Sequence, residues 1–239
     1  MKMKNKNEEQ IAARLKHKES LKLNRRKEPL LERNEPSINK KPSILIYCEG
    51  KNTEPSYFNQ FRLPFIEIET FGEGKNTLSL VKRAIQLAKA KSYDQIWCVF
   101  DADPKPDNPK QAQNFNDAIK LANKNNFGVA YSNQAFEYWI ILHFDDHQGG
   151  SMDRKYYNNK INELLKPYEI TYHGNDSKII TEEIFELLDG IDEKTKKERK
   201  FLAIERAKRN YNLFDHNNPA IEESSTTVFN LVEELVKYV

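Results

Sequence analysis

Two short apolar runs that each end in acid constrain the fold of this chain more than any other feature: Ile44 to Glu54, ILIYCEGKNTE, and Ile96 to Asp103, IWCVFDAD. Each reads as a buried parallel strand delivering carboxylates to the carboxyl edge of a sheet, where open α/β folds place their sites. If the second strand stays extended past Phe100, Asp101 and Asp103 point the same way with Cα atoms about 6.5 Å apart. Two carboxylates about 5 Å apart repel by roughly 3 kcal/mol at an effective dielectric near 20, so such a site, with Glu49 added, holds either a proton or a cation. A hard divalent metal resolves the conflict, and Mg²⁺ favours carboxylate oxygens with retained water and substrate phosphate.

Strand and helix signals alternate from residue 44 to 132. After the first strand, Thr53 reads as a helix N-cap with Pro55 in the first turn, and Tyr57, Phe58 and Phe61 face inward. Phe65 to Thr70 alternates Ile66 and Ile68 with Glu67 and Glu69, an edge-strand pattern. FGEGKN, Phe71 to Asn76, precedes a helix with Leu78, Val81, Ile85 and Ala88 on the 3.6 period. That loop fits a phosphate cradle at a helix N-terminus, or simple turn chemistry; it matches no full phosphate-loop pattern. A proline-rich loop, DADPKPDNPK, leads to a helix over Gln111 to Lys124, and Phe127 to Ser132 reads as another buried strand. The alternation predicts an α/β fold with a mainly parallel sheet flanked by helices.

From Gln134 the pattern becomes helical. FEYWIILHF is apolar almost all round, which suits a helix packed deep against the sheet. Further helices are expected over 153–166, 177–189 and 195–212, the last with Phe201, Ile204, Ala207 and Tyr211 on one stripe. A final helix from Ser225 to Tyr238 puts Val228, Leu231, Leu235 and Val239 on one face. The predicted organisation is an arm over 1–41, a catalytic core over 42–145 and a helical accessory region over 146–239.

Charge is divided unevenly. Residues 1–41 carry 13 Lys+Arg against 6 Glu, and the remainder 25 against 30. A basic arm can track a phosphate backbone through counterion release, and its charge fits a solvated, weakly helical tail equally well. No stretch of about 18 apolar residues is present, which argues against a membrane span, and the basic N-terminus has no apolar region behind it, which argues against a secretory signal. A cytoplasmic protein is expected. Cys48 and Cys98 lie in predicted central strands and read as free, buried thiols. With no Cys-x-x-Cys, and with His147, His173 and His216 lacking ligand spacing, zinc is disfavoured. No GxSxG elbow supports a serine hydrolase.

Glu49 with Glu54, Asp101 with Asp103, and Glu137 each follow a predicted buried strand. Glu137 sits in an otherwise apolar segment, where an unpaired carboxylate is expensive to bury. A joint metal site on Glu49, Asp101 and Asp103 is expected, with Glu54 and Glu137 as further candidates; Glu54 also fits a plain helix-dipole role. Lys51, Ser132, His143 and Lys178 are candidate substrate contacts, Lys51 as a cation on the scissile phosphate and Lys178 as one approaching from the YHGNDSK loop beside Tyr172. Lys51 also reads as a solvated loop lysine, and His143 as a structural histidine.

A strand ending in Glu-Gly, followed some 50 residues later by one ending in Asp-x-Asp, resembles the Toprim fold of primases, topoisomerases and the overcoming-lysogenization-defect nucleases. More closely, CEGKNTEPSYF, IWCVFDADP, SNQAFEYWIILHF and STTVFNLVEEL resemble the RloB family, found beside restriction-modification and other phage-defence genes, from residue 43 to the C-terminus. The resemblance implies that Glu49 is the Toprim glutamate, a general acid or base or a metal ligand. It implies that Asp101 and Asp103 hold Mg²⁺. Glu54 resembles the second glutamate of the nucleases' EGxTE motif, with spacing one residue longer, and Glu137 their acidic residue after the fourth strand. If both hold, the site has two metals about 4 Å apart, suited to in-line phosphoryl displacement by water; otherwise one ion, Mg²⁺ or Mn²⁺, is implied. Family proteins often show Asn-Pro near SNQAFE, where this chain has Gln134.

The implied function is a metal-dependent nuclease cutting DNA or RNA in anti-phage defence by abortive infection. The alternative is a non-catalytic nucleic-acid- or nucleotide-binding subunit working with a partner such as an ATPase. Restriction-modification neighbours, a homodimer and no membrane partner complete the expectations.

Overall fold

Continuous apolar runs define the central strands, and the computed structural model shows which side each alternate residue serves. It describes residues 12–20, 22, 41–64, 66–74, 76–103 and 108–239. Residues 1–40 and 41–239 form separate compact units. In the first, residues 12–20 form a helix, α1, whose described side chains are all exposed. The readings that rested on Ile11 and Pro36, on Phe65 and on residues 104–107 of the proline-rich loop lie outside the described residues.

The second unit runs β1 (Ser43–Cys48), α2 (Thr53–Phe58), β2 (Glu67–Gly72), α3 (Thr77–Ala90), β3 (Gln95–Asp101), α4 (Pro109–Lys124), β4 (Gly128–Ser132), α5 (Glu137–Phe144), α6 (Tyr157–Leu165), α7 (Glu182–Asp189), α8 (Arg199–Tyr211) and α9 (Val228–Val236). Its four strands are ordered β2-β1-β3-β4, and every neighbouring pair is parallel. This is a Toprim-like α/β fold. The expected edge pattern of β2 is correct, since β2 lies outermost with mostly partly buried residues.

Alternation along the strands splits the interior in two. Ile44, Ile46, Cys48 and Val99 face α5 and the later helices, with Tyr57 and Phe58 of α2. Leu45, Tyr47, Cys98 and Phe100 face α3 and α4. The two cysteines are free, as expected, and the strand pleat puts them in different layers. The C-terminal helices are not a separate body, because Trp139, Ile140 and Ile141 of α5 share one core with Ile184, Ile204 and Leu231.

Several local expectations shift. The N-cap of α2 is Asn52, and no side chain caps it. On α3 the fully buried positions are Leu80, Val81 and Ala84, while Leu78, Ile85 and Ala88 are only partly buried. Phe201 is exposed on α8, where Leu202, Ala203, Ile204 and Ala207 are buried instead. The 177–189 helix starts only at Glu182, since Lys178 has φ 55 and Thr181 accepts from the Ile184 N–H to open the helix. Val239 is exposed beyond the end of α9.

Residues 225–227, read as the start of the last helix, precede it and run along the outer edge of β4, with Thr226 bridged antiparallel to Ser132. Thr227 N–H donates to Tyr131 O at 2.8 Å, and Asn133 N–H donates to Ser225 O at 2.8 Å. Thr227 Oγ1 accepts from Tyr131 N–H at 2.9 Å. Ser224, Ser225, Thr226 and Thr227 are buried. The Thr226 and Thr227 hydroxyls bond to β4 and block an otherwise open strand edge, while those of Ser224 and Ser225 donate to Gly150 O and Glu222 O.

Candidate metal-dependent active site

The chain reverses its direction of travel across the sheet between β1 and β3. From β1 it moves outward to β2, then crosses back to β3 and on to β4. The crevice beyond the carboxyl ends of β1 and β3 is therefore the topological switch point, where such sheets bind ligands. A cavity of about 310 Å³ lies there, lined by residues that include Glu49, Lys51, Glu54, Asp101, Asp103, Glu137, Arg154 and Lys178.

Glu49 is fixed by its own backbone. Its N–H donates to Val99 O of β3 at 2.8 Å, and its carbonyl accepts from Gly74 N–H at 3.0 Å. Its carboxylate accepts from Thr77 Oγ1 at 3.3 Å and from Asp101 N–H at 3.3 Å. Burial outweighs these donors and raises its pKa to about 7. Glu54 reaches back from α2 to accept from Gly50 N–H at 3.2 Å. A Cβ on Gly50 would stand 2.2 Å from Glu54 Oε2, so the Glu-Gly pair is required for this return. The longer EGKNTE spacing thus still delivers Glu54 to the cavity.

Asp101 ends β3 and turns towards Glu54 and Glu137. Burial first, then those two charges, push its carboxyl well above the usual range, against the pull of Arg154. Glu54 is raised by burial and by Glu137. Glu137, 9% exposed, opens α5 and accepts from Tyr172 Oη at 3.1 Å.

Asp103 departs from the extended geometry expected of it. Its φ is 39, its carbonyl accepts from Gln111 Nε2 at 2.6 Å, and its Oδ1 accepts from Arg154 Nη1 at 2.7 Å. The strand stops at Asp101, and the two aspartates are sorted into different environments instead of sharing one face.

Seven predicted residues, Glu49, Lys51, Glu54, Asp101, Asp103, Glu137 and Lys178, line this cavity; two do not. The Ser132 hydroxyl is buried and paired with Thr226 Oγ1 at 3.0 Å, which ties the strand end to the 225–227 segment. His143 is 1% exposed, with Nδ1 2.9 Å from Trp139 O and its ring against Trp139 and Tyr57. Burial lowers its pKa to about 4, which makes it a neutral core residue.

The sequence reading missed Arg154, Thr77 and the contact from Tyr172 to Glu137. Thr77 follows the FGEGKN loop directly and could have been suspected from it. Arg154 has no local signal; only the charge balance of a cavity with five carboxylates calls for a cation such as this. Gln134 adopts φ 77, which a proline ring fixed near −65° forbids, so its departure from the family pattern goes with a different backbone.

Among the described residues no three His, Cys, Asp or Glu side chains form a ready-made metal cage. The donors that face the cavity are hard oxygens, and Mg²⁺ takes one or two carboxylates while keeping several waters. Asp101, with Glu54 and Glu137 beside it, fits that requirement. Among the described residues no helix is long and apolar enough to cross a membrane.

No curated protein and no solved structure matches the chain. The family model described as RloB-like protein matches residues 44–235, which takes in both sheet edges, the cavity and the helices behind it. The chain belongs to the RloB-like family.

Proposed function

We propose that this protein is a metal-dependent phosphodiesterase that hydrolyses nucleic acid in anti-phage defence. The observation that carries the reading is the convergence of Glu49, Glu54, Asp101 and Glu137 with Lys51, Arg154 and Lys178 on one cavity at the switch point. Anionic walls alone would repel a phosphodiester, and cations alone would not activate water. Together they fit a substrate phosphate and a divalent cation.

Asp101, Glu54 and Glu137 would hold Mg²⁺ or Mn²⁺. Such an ion supplies charge neutralisation of the phosphate and acidifies a bound water. Glu49, raised to about 7, stands half-protonated near neutral pH and can take a proton from water or give one to the leaving oxygen. Thr77 and the Asp101 N–H fix its orientation. Lys51, Arg154 and Lys178 bind the non-bridging phosphate oxygens, with Arg154 exchanging its contact to Asp103 for one to substrate. Asp103 positions Arg154.

The test is incubation of the purified protein with supercoiled plasmid, single-stranded DNA and total tRNA in Mg²⁺, Mn²⁺ or EDTA, beside Asp101→Asn. Metal-dependent cutting that Asp101→Asn reduces at least about 100-fold supports the reading. Cutting that persists in the variant or in EDTA overturns it. Metal-sensitive binding without turnover on any substrate favours a binding subunit that works with a partner such as an ATPase.

A further inference from the structure

A second cavity, of about 420 Å³, adjoins the first and shares Asp103, Glu137, Arg154 and Lys178 with it. Its remaining wall is polar, with side-chain amides from Gln134, Asn158 and Asn175 beside the charged Asp153 and Lys155 and the buried Tyr157 and Tyr172. Asn158 is held in one orientation, because its Oδ1 accepts from Gly174 N–H at 3.0 Å and from Asn162 Nδ2 at 3.3 Å. That leaves its Nδ2 donors for another partner. Gln134 and Asn175 make no side-chain hydrogen bond among the described residues. Tyr157 is 2% exposed, and its buried hydroxyl has no partner among the described residues.

Unspent amides read the edges of nucleobases, and a base enters a cavity of this kind only when it is out of its stack. Arg154 and Lys178, which line both cavities, suit a phosphate lying between such a base and the carboxylates. Gly174 keeps the wall close, since a Cβ there would stand 2.6 Å from Asn158 Oδ1.

We infer that the second cavity is a base-binding subsite for one unpaired nucleotide of a single-stranded nucleic acid, whose neighbouring phosphate occupies the carboxylate cavity. The inference rests on the phosphodiesterase reading and names its substrate class. A strand fits because its base and the neighbouring phosphate can occupy the two adjoining cavities together, with the rest of the chain leading away from them.

The test is fluorescence anisotropy with the full chain and Ca²⁺ in place of Mg²⁺, on labelled strands of about ten nucleotides. The probes are base-bearing single strands of DNA and RNA, an abasic strand, a blunt duplex and a competing nucleoside monophosphate. Single strands should bind about tenfold more tightly than the duplex or the abasic strand. Gln134→Ala and Asn175→Ala should each weaken base-bearing strands about fivefold and leave the abasic strand unchanged. Neither side chain makes a hydrogen bond that folding would miss, and unchanged melting temperatures confirm this. Equal affinity for the abasic strand or the duplex overturns the subsite, as does a monophosphate that competes as well as a strand.

Cleavage with Mg²⁺ separates the two readings. Cutting of base-bearing single strands at wild-type rate by both variants overturns the subsite and leaves the phosphodiesterase. Base-dependent binding without cleavage of any strand overturns the phosphodiesterase and leaves the subsite.

Discussion

Arg154 and Asp103 form an ion pair across the mouth of the site, Nη1 to Oδ1 at 2.7 Å, although 51 residues separate them. Both side chains are more than a third exposed, so the pair itself adds little to stability. Its weight lies in electrostatics, because Arg154 also opposes Asp101 and Glu137.

The guanidinium therefore competes with a metal ion for the same field. Arg154→Ala is expected to tighten Mg²⁺ binding by about three- to tenfold while weakening nucleic acid at least as much, since a direct cation contact to phosphate is lost. Isothermal titration of Mg²⁺ and anisotropy on a DNA strand measure the two effects. Weaker Mg²⁺ binding in the variant would show that Arg154 supports the metal site instead of competing with it.

Proton linkage gives a second expectation. The Glu49 pKa is raised from 4.5 to about 7 on folding, so the folded state binds the proton more tightly. Its contribution to stability is complete below pH 4.5 and is lost as pH rises through about 7. Glu54 and Asp101 are raised too and act in the same direction. Metal-free protein should lose stability between these limits, and Glu49→Gln should recover on the order of 2 kcal/mol at pH 8. Thermal melts in EDTA from pH 4.5 to 8 decide it; a variant melting below wild type at pH 8 would contradict the assignment.

Gly72 faces the most severe steric limit at this edge. A Cβ there would lie 1.9 Å from Gly50 O, a backbone atom that cannot rotate away. Gly72→Ala should cost about 1–3 kcal/mol and disturb the Glu-Gly turn. Gly50→Ala meets only the end of the Glu54 side chain, so it should fold well and lose most of its metal-dependent rise in melting temperature. Chemical denaturation, with and without Mg²⁺, separates the two.

Thr227 guards the β4 edge. Its Oγ1 accepts from Tyr131 N–H at 2.9 Å and donates to Val129 O at 3.2 Å. Thr227→Val keeps the shape and leaves a buried N–H unpaired, with an expected loss of about 1–3 kcal/mol in urea unfolding. Thr227→Ser keeps the hydroxyl and should retain most of the stability; a larger loss in Thr227→Ser than in Thr227→Val would assign the effect to the methyl group.

The sequence by itself determined the sheet. Apolar runs of strand length at Ile44 and Ile96 can be satisfied only by burial on both faces, and the helical periods between them force parallel crossovers. It also determined that acids end those strands, so Glu49 and Asp101 reach one edge whatever the helices behind them do. What it left open depends on contacts between distant segments. The pairing of Arg154 with Asp103, of Tyr172 with Glu137 and of Thr226 with Ser132 spans 51, 35 and 94 residues, and no local pattern encodes such encounters. The same cause removed Ser132 and His143 from the site. A polar residue near a strand end reads as functional until the tertiary structure shows the buried partner that uses it, and only packing supplies that partner.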